Sequence, residues 1–223
     1  PGEYTVFIKS GVTIGATSTA VNAFTTGTQA AGATFKITHR GSILSAGGRG
    51  ADGPWLDLPG FFDAPIISDE VSGRNGNNGG TSVSLTVDCE IDTSQGVIYA
   101  GGGGAPSTKS EGGNTVDGNN PEPHGNAGNG GSGGQGYSSS PGGDAGTVTV
   151  DGSGVVDTAV DGSAGSRSAP GILANISGGA WGEDSDETPN TGNKGLSGFA
   201  IKSNGNSVII TGDNNLTVRG RRS

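Results

Sequence analysis

GNAGNGGSGGQG, residues 125–136, is the stretch on which the fold turns. It holds almost nothing that could pack through side chains. Gly125, Gly128, Gly131 and Gly134 fall on every third residue, and Gly130, Gly133 and Gly136 form a second series in another phase. Polyproline II has three residues per turn, so a threefold glycine series leaves one face of an extended strand bare. Several such strands could then pack backbone to backbone. A slack linker whose glycines coincide in phase is the competing reading. The same spacing returns at Gly47, Gly50 and Gly53, at Gly73, Gly76 and Gly79, and at Gly192, Gly195 and Gly198. These runs occupy the same place in each internal repeat, which favours ordered glycine packing. Strict Gly-X-Y over a long range is absent, and that excludes collagen.

Composition poses the same choice. With 47 Gly and 10 Pro among 223 residues, low complexity is the first suspicion. Charged residues make up only 15% and the net charge is −9, so the charge condition for disorder is half met. A core has to be built from 6 Phe, 3 Tyr, 2 Trp and no Met. The acidic balance argues against nucleic acid or an anionic membrane as partner. Cys89 is the single cysteine, which excludes an internal disulfide framework and a cysteine metal cluster, and it reads as a small apolar strand residue. No apolar run reaches the roughly 18 residues of a membrane-spanning helix, and no basic start precedes an apolar segment. A chain beginning at Pro1 without Met is expected to be processed or part of a longer polypeptide.

Outside the glycine runs the dominant signal is alternation. Residues 4–8, 12–14, 33–39, 83–87, 97–99, 147–150, 155–160, 207–210 and 216–218 read as short strands bounded by Gly, Asn or Asp. Gly or a β-branched residue interrupts nearly every helical window. The expectation is an all-β chain of short repeated strands, β-helix or sandwich-like, with polyglycine-II-type segments and long loops between. TFKITHRGSILSAGGRG (34–50) and SLTVDCEIDTSQGVIYAGGGG (84–104) share one design of strand, polar turn, apolar pair and glycine run. SVIITGDNNLTVRGRRS (207–223) repeats its first part and stops where the glycine run would begin. Residues 1–100 read as strand-rich repeats and 101–223 as a glycine-rich loop region with closing strands at 207–218, or the two as one continuous domain.

Candidate chemistry is sparse. His39 and His124 read as solvated surface residues, and no nucleophile elbow, zinc-binding helix or phosphate-binding loop is present. Two carboxylates on different strands could still hydrolyse a glycan, yet the expectation is a protein without enzymatic activity, cofactor or metal. Three loops carry the exposed candidates. The first, 53–63, holds Trp55, Phe61 and Phe62, either as a lid on a thin core or as contact residues. The second, 105–140, is polar and carries Tyr137. The third sets Trp181 beside Glu183, Asp184, Asp186 and Glu187, a cluster that could ligate Ca²⁺ or be a solvated acidic loop without EF-hand spacing. Arg219, Arg221 and Arg222 concentrate positive charge at the end of an acidic chain, as solvated residues or as contacts for acidic polysaccharide or a neighbouring subunit.

Gly11-Val12-Thr13-Ile14-Gly15-Ala16-Thr17-Ser18-Thr19, residues 41–48, residues 96–104, and Gly198-Phe199-Ala200-Ile201 followed by residues 206–210 resemble the glycine-rich distal domains of tailed-bacteriophage tail fibres and central tail-tip proteins. The chain is also similar in style to the glycine-sandwich adhesins that cap some long tail fibres. Its glycine segments are shorter than theirs and alternate with strands. The resemblance implies a virion tail-tip or fibre module that binds a host cell-surface receptor, glycan or outer-membrane protein, without membrane insertion. It also implies contact with other tail proteins and a homotrimer, although the monomeric glycine-sandwich adhesins leave that number open. Trp55, Phe61, Phe62, Tyr137, Trp181, Glu183, Asp184 and Asp186 are then the receptor-contact candidates. A purely structural tail component, a glycan-depolymerising tailspike and a bacterial surface adhesin are the alternatives.

Overall fold

A computed structural model of the chain describes residues 2–58, 69–117, 120–150, 154–173, 176–214 and 216–223. Followed in order, the strands wind a three-sided parallel β-helix of four rungs. The first rung is β1 (Glu3–Ile8), β2 (Thr13–Gly15) and β3 (Phe24–Thr25). The second begins with β4 (Thr34–His39) and β5 (Ser42–Leu44), leaves on an excursion carrying β6 (Trp55–Leu58) and β7 (Asp69–Val71), and closes with β8 (Val83–Ser84). The third begins with β9 (Asp88–Asp92) and β10 (Val97–Tyr99). Its longer excursion carries β11 (Ser110–Asp117), β12 (Asn120–Asn126), β13 (Thr147–Val150), β14 (Gly154–Thr158), β15 (Ile172–Leu173) and β16 (Ile176–Ser177), and it closes with β17 (Phe199–Lys202). The last rung is β18 (Val208–Thr211), β19 (Val218–Arg219) and β20 (Arg221–Arg222).

The three faces follow from that winding: β1-β4-β9-β18, β2-β5-β10-β19 and β3-β8-β17-β20, every pairing parallel. In-register pairing stacks like on like along the inside. Val6, Ile37, Ile91 and Ile210 form one column, and Ile14, Ile43, Ile98 and Val218 another. The middle members Ile37, Ile91, Ile43 and Ile98 are fully buried. Each such side chain contributes about 2 kcal/mol by leaving water. This is where the alternation of the strands is used: odd positions of β4 face the core and even ones face solvent.

That parity corrects the reading of His39 as a surface residue. It shares the phase of Phe35 and Ile37 and is 1% exposed, with Nε2 2.9 Å from the Val97 carbonyl and Nδ1 unpartnered. Burial lowers the imidazole pKa below its ordinary 6.5, against the smaller upward pull of the Val97 hydrogen bond. The folded state therefore disfavours protonation, and stability is full above pH 6.5 and lost as pH falls below it. The chemical-denaturation midpoint should hold from pH 8 to 7 and decline from 6.5 towards 5, with a shallower decline in His39→Gln. An identical slope in that variant would refute the assignment. Asp52, held below its ordinary 3.8 chiefly by hydrogen bonds from Arg49, acts only in a lower pH window.

Two more expectations change. Residues 83–87 are not one strand: β8 ends at Ser84, and Leu85 and Val87 turn a corner of the helix with their side chains buried in the core. Residues 105–140, expected as a loop, contain the antiparallel hairpin β11–β12, in which His124 pairs with Gly113. Pro121 and Pro123 are compatible with it because β12 is an outer strand, where a missing N–H costs no inner ladder bond.

Between the β-helix and the hairpins run the glycine segments, as extended rods bonded at every third residue. Gly102, Ala105 and Thr108 donate their N–H groups to the carbonyls of Gln135, Ser132 and Asn129. Gly101, Gly104 and Ser107 donate to Gly80, Asn77 and Arg74, and Gly192, Gly195 and Gly198 donate back to Ser107, Gly104 and Gly101. Gly48 and Ala51 donate to Gly102 and Ala105. The rod 100–109 is thus surrounded on several sides, as a three-residue turn allows. Cβ atoms built on Gly47, Gly50, Gly53, Gly73, Gly76, Gly79, Gly128, Gly131, Gly134, Gly192, Gly195 and Gly198 would all run into backbone of neighbouring rods. Gly125 differs, lying in β12 opposite Gly112.

Candidate functional site

The rods give the molecule two ends. A ten-residue rod at about 3.1 Å per residue spans roughly 30 Å. At the end away from the β-helix, the sheets β12-β11-β7 and β14-β13-β6 pack on each other over a small cluster of Leu56 and Val148, with Val71 and Ala127 against it. The strand β6 is set by Pro54, buried where the rod ends, and by parallel pairing with β13. Alternation then turns Leu56 inward and Trp55 outward, and the indole is 60% exposed. Thr149 Oγ1 donates to Asp57 at 2.8 Å, and Lys109 bridges β7 and β11 through Glu70 at 2.9 Å and also pairs with Glu111. Phe61 and Phe62 lie outside the described residues.

The other candidates sit at the opposite end, beside the β-helix. The Tyr137 ring covers Gly15, with the Arg167 guanidinium 5.6 Å from its centroid, and the Tyr137 N–H donates to Ser45. Trp181 is only 8% exposed, 5.9 Å from Tyr99, and its backbone N–H donates to Gln135 Oε1 at 3.0 Å. The neighbouring acids tie their own loop. Asp184 accepts from the Ser197 N–H at 2.8 Å and lies 3.5 Å from Lys194, Asp186 accepts from the Ser177 backbone and hydroxyl, and Glu187 accepts from the Lys194 N–H. Among the described residues no three His, Cys, Asp or Glu side chains gather as metal ligands. Cys89 is buried in the core with its thiol pushed up to about 12 by desolvation, so it offers no nucleophile at neutral pH. The six contact candidates among the described residues therefore do not converge on one site.

The strands of the first rung at 4–8 and 12–14 are expected from the sequence, but not that this rung is open. Tyr4 stacks on Phe35 at 5.2 Å but is 43% exposed, whereas its in-register neighbours Phe35 and Cys89 are buried. Val6, Ile14 and Phe24, inward residues of the same rung, are likewise only partly covered, although Ile8 is buried; Val208 and Ile210 of the last rung are partly covered too, but Val218 there is buried. The column tops are open on this end. No signal in residues 3–25 marks it, because a terminal rung alternates like an inner one.

No curated protein matches the sequence. The fold is similar to that in the crystal structure of the gp37-gp38 adhesin tip complex of the bacteriophage S16 long tail fiber, with a TM-score of 0.55 and 18% sequence identity, covering 99% of this chain and 71% of that one. The model of the phage tail fibre adhesin Gp38 family matches residues 1–223, the whole chain, so this all-β protein of the virion tail belongs to that adhesin family.

Proposed function

We propose that the chain is a non-enzymatic adhesin whose first rung seats on the end of a tail fibre and whose far end, around Trp55, reads a receptor on the host cell surface. The observation that carries this is polarity: a partly open first rung with Tyr4 exposed at one end and an exposed indole on paired strands at the other. An open rung with free strand edges is a template for another β-structure, and the similar S16 structure is a complex of gp38 with gp37. One copy per fibre fits better than a homotrimer, because a single chain already closes three faces. The glycine rods act as the stiff arm that holds the two ends apart. Asp184 and Asp186 tie their own loop along that arm, and Trp55 at the far end, with Phe61 and Phe62 following it in the chain, gives the receptor candidates.

Trp55→Ala is the test. An aromatic anchor at an interface centre contributes roughly 2 kcal/mol or more, about a 30-fold loss of affinity. Host-cell binding by the purified chain should fall by that factor with an unchanged thermal midpoint, since the ring packs on little. Wild-type binding by Trp55→Ala would remove the site from this end.

A further inference from the structure

The three terminal arginines are not simply solvated. On a chain of net charge −9, Arg219 lies with its guanidinium 5.1 Å from the Tyr99 ring centroid, and Arg221 4.5 Å from that of Phe199. Neither has a carboxylate partner among the described residues. Arg222 by contrast is forked onto Asp213. A guanidinium lying over an aromatic ring is held flat while its in-plane N–H donors stay free, which suits a carboxylate or phosphate.

Arg219 and Arg222 line a groove of about 600 Å³ between the last rung and the 181–183 turn. Gly182 and Gly220 bring its walls together, since a Cβ on Gly182 would strike the Gly220 amide. Trp181 lines the same groove, and its indole N–H makes no hydrogen bond within the described residues and stays accessible from solvent while the residue as a whole is only 8% exposed. Glu183, exposed on the opposite lip, has an acceptor to offer. A bare anion uses only the arginines, whereas a sugar acid uses all three: guanidinium for the acid, carboxylate for hydroxyls, indole N–H for an oxygen.

The geometry points to a second binding site, distinct from the Trp55 end, in which Arg219, Trp181 and Glu183 hold a carboxylate- or phosphate-bearing saccharide. It rests on the adhesin reading only for the source of that sugar, the host surface. Titrating the full-length chain with D-glucuronate, glucose 6-phosphate, glucose and inorganic phosphate, and following the indole N–H resonances, tests it. The chain has 2 Trp, so the Trp55→Ala spectrum assigns the Trp181 signal. The expected result is a saturable shift of that signal with at least one acidic sugar, the better of the two identifying uronate or sugar phosphate as the source. Affinity should fall about tenfold in Arg219→Gln, the loss of one charge-assisted bidentate contact, and be partly kept in Arg219→Lys. The proposal is overturned by no saturable shift, by inorganic phosphate binding as tightly as the sugars, or by Arg219→Gln binding like the parent. Binding here with normal affinity in Trp55→Ala separates this site from the receptor end.

Discussion

Replacing Gly131 by Val is expected to leave no native protein. The Gly131 N–H donates to the Ala51 carbonyl at 2.7 Å and its own carbonyl accepts from Gly143 at 2.8 Å. A Cβ would enter the Ala105 carbonyl of the central rod. In an ordinary core an added methyl is absorbed by side-chain movement at a cost of about 1–3 kcal/mol. Here the colliding atom is backbone in a rod bonded to several others at every third residue, so relief means breaking a row of hydrogen bonds at about 1 kcal/mol each. The total approaches the whole stability of a domain, roughly 5–15 kcal/mol. Gly11→Asn is the matched control, since a Cβ there meets nothing within 4 Å and Asn tolerates its φ of 80°. Circular dichroism and thermal unfolding should find Gly11→Asn near the parent and Gly131→Val unfolded or insoluble. A cooperative transition at the parental temperature in Gly131→Val would mean that the segment is a linker.

Placing a carboxylate on the first rung should separate the adhesin from its fibre. Tyr4 caps the column over Phe35, and the proposed contact buries what is now exposed of it. Tyr4→Asp would force an unpaired charge into an apolar seam, at a cost of several kcal/mol, and a loss of about 3 kcal/mol is already more than 100-fold in affinity. Virions from a Tyr4→Asp phage should carry the chain at a few per cent of the normal level by immunoblot and lose adsorption in proportion. The purified variant should still bind cells. Normal incorporation would show that the fibre is met elsewhere.

The parts of this structure that were legible in the sequence are those with a period. Alternation in 34–39, 97–99 and 208–210 located strands because each has one face in the core, and the threefold glycine phase located rods because only glycine permits that approach. Reading His39 on the polar phase of its strand misplaces it, since it shares the parity of Phe35 and Ile37 and points inward. The hairpin β11–β12 was illegible because SEGGNTVD and NPEPHGN carry no alternation and are held by backbone pairing. Trp181 reads as a surface anchor beside an acidic cluster, yet it is 8% exposed, and of its neighbours Asp184 and Asp186 bond within their own loop. The open first rung could not be read at all, because exposure there depends on having no rung above it.

An electron cryomicroscopy map of the intact fibre tip would show which end of the chain meets the fibre. One copy per fibre is expected, with residues 3–25 against the fibre and the Trp55 strands roughly 30 Å further out along the glycine rods. A map with the Trp55 end buried against the fibre and the first rung facing outward would contradict it.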